Sequence, residues 1–258
     1  MDYTDILVEK DGAIGAVIMN SPKTANALSK KMIGELTSAF EDFRADRSAK
    51  VVVIKTGGKH FCSGHNLKEM IDGSVTDYRA IFDDCVRMMT LIHEMPQIVI
   101  AQVHGVATAA GCQMVATCDL AVADDTARFG TPGVKIGLFC NTPMVALSRA
   151  VSRKHALEML MTGKLVSADE AERSGLVNKV VPESELESAV AEMAHSIAEA
   201  SPLTLSIGKR AFYTQIDQDE PSAYEFASGI MTLNLMTDDA QEGIKAFLDK
   251  RKPTWTGR

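Results

Sequence analysis

The sequence lacks the long apolar runs and the cysteine spacings that mark several protein classes. Among its 258 residues, Gln102, His104, Gln113 and Asp119 interrupt the longest apolar stretch, so no run reaches membrane-spanning length. The five cysteines are an odd number without metal-ligand spacing, which is typical of reduced thiols in a cytosolic compartment. We therefore expect neither a membrane segment nor a metal site.

Positive charge is also scarce. There are 27 lysines and arginines against 34 aspartates and glutamates, and the net charge of −7 argues against an extended nucleic-acid surface. The first ten residues, MDYTDILVEK, lack the apolar core of a signal peptide and the arginine-rich pattern of a transit peptide. We predict a cytoplasmic protein without a nucleic-acid partner.

The sequence does contain an alternation of strand and helix patterns. Short β-branched runs, among them residues 51–55 and 98–103, are typical of buried strands, and amphipathic helix patterns separate them. Toward the C-terminus the pattern becomes helical throughout, and the composition shifts near residue 195. The sequence thus predicts an α/β fold with a core over residues 1–195 and an all-helical region over residues 196–258.

One stretch of small and apolar residues joins a strand to a helix. It covers residues 98–123 and has the sequence IVIAQVHGVATAAGCQMVATCDLAVA. Ala109, Ala110 and Gly111 allow close backbone approach before the helix begins. The first N–H groups of a helix lack internal partners and lie at its positive end, so they can hold a ligand oxygen that gains negative charge. We interpret this turn as one half of an oxyanion hole.

A second strand-to-helix turn precedes that stretch along the chain. Residues 56–70, TGGKHFCSGHNLKEM, contain three glycines that permit unusual backbone angles. Asn66 is suited to begin a short helix directly after them. We therefore expect a second exposed N–H donor near His65.

Four segments in fixed order resemble the crotonase superfamily, also called the enoyl-CoA hydratase/isomerase family. They are FCSGHNLKEM, HGVATAAGCQMVATCDLAVA, FGTPGVKIGL and LVSADEAERSGLVNKVVP. The resemblance implies a spiral of ββα units with a C-terminal helical trimerisation region, assembled as a homotrimer or a dimer of trimers. It also implies an acyl-CoA substrate, with coenzyme A as part of that substrate and no tightly bound cofactor.

The resemblance assigns the two oxyanion donors to the main-chain N–H groups of His65 and Ala110. They would hold the thioester carbonyl oxygen and stabilise the enolate that forms, each donor contributing roughly 3 kcal/mol in the transition state. Hydration further requires two glutamates in well-studied relatives, and their positions here hold Gln113 and Gly133. An amide does not carry protons near pH 7, and glycine has no side chain. We therefore expect an enzyme of the lyase or isomerase class with weak or altered hydratase activity.

Three further residues leave other reactions open. A histidine at position 65 also resembles the methylmalonyl-CoA decarboxylase branch, whose tyrosine is replaced here by Cys140. Asn141 aligns with a catalytic aspartate of relatives that isomerise dienoyl-CoA or dehalogenate aryl-CoA, although it also suits a helix N-cap. The alternatives are therefore an acyl-CoA decarboxylase, a non-catalytic acyl-CoA binder, and a scaffold without a ligand.

Recognition of coenzyme A is assigned by the resemblance to residues near the first donor and near the C-terminus. The basic run Lys250, Arg251 and Lys252 suits the phosphates of coenzyme A, and it equally suits a solvated helix end. The adenine and pantetheine path would be lined by Lys23, Ala25, Leu28, Ser63, Asn66 and Leu67.

Overall fold

The computed structural model describes residues 3–258. The strands are β1 (Ile6–Asp11), β2 (Ile14–Met19), β3 (Val51–Thr56), β4 (Ile98–Val103), β5 (Val106–Thr108), β6 (Leu120–Asp124), β7 (Arg128–Gly130), β8 (Leu165–Ser167) and β9 (Lys179–Val181). The α-helices are α1 (Lys30–Ala45), α2 (Val75–Glu94), α3 (Ala110–Thr117), α4 (Asn141–Ala150), α5 (Arg153–Thr162), α6 (Ala168–Ser174), α7 (Leu186–Ala198), α8 (Pro202–Gln215), α9 (Glu220–Leu235) and α10 (Asp238–Leu248).

The larger sheet is mostly parallel, and its central strands are buried on both faces. Its strand order is β1-β2-β3-β4-β6-β9, and only the β1–β2 hairpin is antiparallel. On β3, Val52 and Ile54 point into the core beneath α1 and α2, while Val51 and Val53 pack with residues of α7. Such two-sided burial explains why β3 is an unbroken apolar run in the sequence.

A small second sheet places the central turn beside the second turn. Strands β5, β7 and β8 form it, with β5 and β7 parallel and β8 antiparallel to β7. An isolated bridge joins Cys62 to Ala107 of β5, and another joins Leu28 to His65. These pairings hold the loop after β2 against the loop after β3, and the loop after β3 against β5.

The C-terminal helices are attached to the core through a buried ion pair. The Nζ of Lys209 on α8 lies 2.6 Å from the carboxylate of Asp119 and also donates to the carbonyls of Ile92 and Gln97. The hydroxyl of Tyr213 donates to the other oxygen of Asp119 at 2.8 Å. Asp119 is thus a structural ion-pair partner.

The predicted α/β class with an all-helical C-terminal region is confirmed, because α7 to α10 follow the last strand without a further sheet element in the described chain. The predicted boundary at residue 195 lies inside α7 and stays a prediction. Two helix starts follow the expected chemistry: the Ser29 side chain accepts from the N–H of Met32, and the Ser167 side chain accepts from that of Glu170.

Candidate active site

The first turn of the site begins α3 with a strained residue. Ala109, the N-cap, has φ 51° and ψ −118°, a conformation that costs a residue with a Cβ about 1–3 kcal/mol. Its N–H donates to the carbonyl of Gly130 at 2.9 Å, and its carbonyl accepts from Gln113. Within residues 3–258 the next N–H, that of Ala110, donates to no protein acceptor. This donor therefore stands open at the positive end of α3.

The second turn leaves another main-chain donor open. Leu28 donates its N–H to Gly64 at 2.8 Å and accepts from the N–H of Asn66 at 3.1 Å. In this parallel bridge the intervening residue, His65, points its own N–H away from Leu28. The part of the chain that the structure describes offers that N–H no acceptor.

A glycine fixes the close approach of the two turns. A Cβ added to Gly64, whose φ is +93°, would lie 2.8 Å from the Cβ of Ala109 and 3.4 Å from the N of Ala110. Gly111 is equally constrained, since a Cβ there would lie 2.3 Å from the carbonyl oxygen of Cys62. The fold thus brings His65 and Ala110 together on adjacent turns, with both N–H groups unused.

Gln113 lies one helical turn beyond Ala110 on the same helix. Its side chain is only 6% exposed, yet its Oε1 is buried without a hydrogen-bond partner among the described residues. A buried, unpartnered amide oxygen is costly unless a ligand supplies a donor. Position 113 thus places a neutral amide, with an unpartnered oxygen, one helical turn from the open Ala110 donor.

Gly133 lies where no side chain fits. It belongs to a 3₁₀ turn over Pro132–Ile136, and its carbonyl accepts from the N–H of Leu138 at 3.0 Å. A Cβ at this position would lie 2.1 Å from the Leu138 carbonyl oxygen and 2.8 Å from the Sγ of Cys140. The local backbone therefore excludes a carboxylate at position 133.

The ring of His65 is half-buried beside Phe82. It meets Phe82 edge to face, with 5.5 Å between ring centroids, and neither ring nitrogen has a hydrogen-bond partner in residues 3–258. Burial lowers the pKa of His65, although the Leu28 carbonyl and the Glu69 carboxylate oppose this shift. The ring is accordingly neutral at pH 7 and able both to donate and to accept a hydrogen bond.

The start of α4 supplies two more of the predicted residues. Asn141 is the first residue of the helix, not its cap, and its side chain donates to the carbonyl of Phe139 at 3.3 Å. The cap is Cys140, and burial raises the pKa of its thiol, so it stays protonated near neutral pH. Sequence reasoning missed Thr131, which is fully buried with an unpartnered hydroxyl.

The predicted coenzyme A residues divide into two groups in space. The N–H of Ser63 donates to the carbonyl of Ala25 at 3.0 Å, and its hydroxyl donates to Thr24, next to the exposed Lys23. Leu28 is buried, so it offers only its main chain. Asn66 caps the short 3₁₀ helix that begins at Leu67.

The C-terminal basic run lies elsewhere in the described chain. Arg251 forms a two-pronged pair with Glu242 of α10, at 2.6 and 2.9 Å, so its charge is engaged. Lys250 and Lys252 are exposed. No hydrogen bond or ion pair within residues 3–258 joins this run to the turn at Lys23, and its role in coenzyme A binding stays a prediction.

A wide cleft, which no sequence motif predicted, lies next to the site. Its volume is about 820 Å³, and residues of α2, α3, α4 and α8 line it, Gln113 among them. No helix of the described chain is long and apolar enough to span a membrane. In the same residues no group of three or more histidine, cysteine or acidic side chains is arranged for a metal ion.

Comparison with known proteins identifies relatives that match almost the whole chain. Enoyl-CoA hydratase domain-containing protein 3, mitochondrial, of Mus musculus is 48% identical over 249 residues, covering 96% of this chain and 83% of the mouse protein. The Homo sapiens protein of that name is 48% identical over 241 residues, covering 93% of this chain and 80% of its own. The predicted cytoplasmic location is wrong by this finding, since these relatives and that of Xenopus laevis, 47% identical, are all named mitochondrial.

The structural comparison agrees with the sequence comparison. The crystal structure of an enoyl-CoA hydratase from Mycobacterium smegmatis matches with a TM-score of 0.95 and 46% identity, covering 98% of this chain and 99% of that one. The crystal structure of human enoyl Coenzyme A hydratase domain-containing protein 3 also matches with a TM-score of 0.95, at 47% identity over 98% of this chain and all of that one.

A sequence model described as enoyl-CoA hydratase/isomerase matches residues 9–258. The resemblance carried by the four segments is thereby confirmed, as is the crotonase-type fold. The chain belongs to the enoyl-CoA hydratase/isomerase family.

Proposed function

We propose that this protein binds an acyl-CoA thioester and stabilises its enolate between the main-chain N–H groups of His65 and Ala110. The observation that carries this proposal is the contact of the two turns at Gly64, with both donors unused. The positive end of α3 adds a favourable field for an oxygen that gains charge. Donors that are fixed before the substrate binds need no reorganisation during the reaction.

The proposed reaction is limited by proton transfer. General acid–base catalysis contributes about 10²–10⁴-fold per group, and the neutral amide of Gln113 cannot supply it. Position 133 cannot supply the second carboxylate, because the Leu138 carbonyl occupies the space that a side chain there would need. We infer weak or altered hydratase activity at an intact thioester site.

The experiment incubates the purified protein with crotonyl-CoA, a 3-enoyl-CoA and methylmalonyl-CoA, and follows absorbance and product mass. We expect saturable binding of the thioesters with slow or absent hydration of crotonyl-CoA. Turnover of crotonyl-CoA at the rate of an efficient hydratase would refute our assignment of Gln113 and Gly133. Failure of every thioester to bind would refute the proposed function as a whole.

Decarboxylation is a second candidate that a specific observation favours. Positions 113 and 133 carry no negative charge that would repel a substrate carboxylate, and both ring nitrogens of His65 are free to contact one. Release of CO₂ from methylmalonyl-CoA would establish this candidate. Binding of all three thioesters without any turnover would instead indicate a non-catalytic acyl-CoA binder.

We also propose a homotrimer or a dimer of trimers, located in mitochondria as the names of the relatives indicate. Large apolar side chains are exposed along the last two helices, as expected of a surface that a second copy covers. They include Tyr224, Met231, Met236 and Phe247. Light scattering on a sizing column tests the assembly, and fractionation of cells that express the full-length protein tests the location.

A further inference from the structure

A further cavity lies at the opposite end of the larger sheet from the proposed oxyanion donors. Its volume is about 400 Å³, which is within the range of small-molecule sites, and Lys50 and Gln97 line it. These two residues directly precede the parallel strands β3 and β4, whereas the turn that carries His65 follows β3. A strand of this length spans about 17–20 Å, so the cavity is separate from the candidate active site.

Arg47 and Lys50 give this cavity positive charge. The guanidinium of Arg47 is exposed and has no ion pair or hydrogen bond with another side chain in the described residues. The Nζ of Lys50 donates to two main-chain carbonyls, at 2.7 and 2.8 Å, which leaves one of its three N–H groups open. The nearby carboxylates are engaged, that of Asp46 by Lys10 and that of Asp239 by the C-terminal residues of the chain. The cavity therefore favours an anion.

The start of α8 adds an open main-chain donor. Ser201 caps this helix, and Leu203, its second residue, lines the cavity. The N–H of Leu203 donates to no acceptor within residues 3–258. An open N–H at the positive end of a helix, next to two cations, is an arrangement that suits a phosphate group.

The amide of Gln97 has an oxygen without a hydrogen-bond donor. The side chain is only 2% exposed, and its Nε2 donates to the carbonyls of Phe43 and Asp46 at 2.7 and 3.0 Å. These two bonds fix the orientation of the amide, because the flipped form would set Oε1 against two carbonyl oxygens. Oε1 itself has no partner among the described residues. Such an oxygen is costly to bury unless a ligand N–H supplies the donor.

The wall formed by the C-terminal segment is aromatic. Trp255 lines the cavity, as do Pro96 and Pro202. The Nε1–H of Trp255 donates to the carbonyl of Glu199 at 2.6 Å, which holds the indole ring in place. A fixed indole offers a flat surface on which a planar heterocycle can stack.

We propose that this cavity binds a purine nucleoside monophosphate. Its phosphate contacts Arg47, Lys50 and the start of α8, its base lies against Trp255, and an amino group of the base donates to Gln97. This site goes beyond the proposed function, because it lies at the other end of the sheet and involves no thioester.

The test titrates the full-length protein with AMP by calorimetry, with and without saturating acetyl-CoA. We expect saturable binding of AMP at one site per chain, with an affinity that acetyl-CoA does not change. Adenosine lacks the phosphate, and inorganic phosphate lacks the base. Each should bind at least about tenfold more weakly than AMP, because a charge-assisted hydrogen bond or a stacked base is lost.

Two variants separate the phosphate contacts from the base contacts. Arg47→Ala should weaken AMP binding at least about tenfold and leave the affinity for adenosine unchanged. Trp255→Ala should weaken the binding of AMP and of adenosine by a similar factor, at least about fivefold. Arg153→Ala is the matched control, since this exposed arginine of α5 does not line the cavity, and it should preserve the affinity for AMP.

Three outcomes would overturn this proposal. AMP that does not bind, or that acetyl-CoA displaces, has no site of its own. Inorganic phosphate that binds as tightly as AMP would reduce the cavity to an anion site without a place for the base. Arg47→Ala with the native melting temperature and the native affinity for AMP would exclude this cavity as the site. None of these results affects the proposed function, which fails only if the thioesters do not bind.

Discussion

The exclusion of a side chain at Gly133 leads to a quantitative prediction. In Gly133→Ala the new methyl group would lie 2.1 Å from the Leu138 carbonyl oxygen, well inside contact distance. Main chain must move to relieve this overlap, since the neighbouring atom is not the end of a flexible side chain. Overpacking of this kind typically costs about 1–3 kcal/mol. For a chain of this size, that cost lowers the melting temperature by about 2–4 °C per kcal/mol.

A control glycine should respond in the opposite direction. Gly34 lies on the exposed face of α1, and a Cβ added there meets nothing within 4 Å. Gly34→Ala should raise stability by about 0.5–1 kcal/mol, because alanine is the better helix former. Both variants are compared with the native protein by calorimetric melting. If Gly133→Ala melts at the native temperature, the turn can yield, and our argument that it excludes a carboxylate is wrong.

Three further predictions concern buried polar groups. Gln113→Glu should speed the slow hydration of crotonyl-CoA without reaching an efficient rate, because position 133 still supplies no second carboxylate. The gain should grow with pH as the new carboxyl loses its proton, and a pH–rate profile measures it. Lys209→Met should cost about 3–5 kcal/mol in denaturant titrations, because it leaves the buried Asp119 carboxylate without a cationic partner. Lys59→Met at the surface should cost little. Burial raises the pKa of Asp239, but its hydrogen bonds lower the pKa by a larger amount, so the net shift is downward. The stability that ionised Asp239 gives the fold is therefore lost as pH falls below about 4. Asp239→Asn should lessen that loss in acid titrations of the folded protein.

The sequence predicted those strands and helices whose own residue pattern is distinctive. The β-branched runs predicted as strands at residues 51–55 and 98–103 form β3 and β4. It did not reveal β5, β6 or β8, because two are only three residues long and β6 lies hidden in a continuous apolar stretch. Short strands of this kind are defined by their partners, not by their own pattern.

The sequence predicted which residues form the candidate site, but it did not predict how they lie relative to one another. The positions of His65 and Ala110 followed from the two glycine-bearing turns and from the family resemblance. Their proximity depends on the parallel bridge at Leu28 and on the close packing at Gly64, which join segments far apart in sequence. The crowding at Gly133 and the cleft beyond Gln113 likewise arise from tertiary packing, which no local pattern encodes.

The conformation of Ala109 connects the fold to the proposed chemistry. Its positive φ is unfavourable by about 1–3 kcal/mol for a residue with a Cβ, so packing must hold it in place. At the start of α3 the Gly130 carbonyl accepts its N–H, and at the end of α3 His93 donates to Thr117. A helix held at both ends keeps the Ala110 donor in one orientation before any substrate binds. Such preorganisation is what enolate stabilisation requires, since the donor need not be reoriented as charge develops.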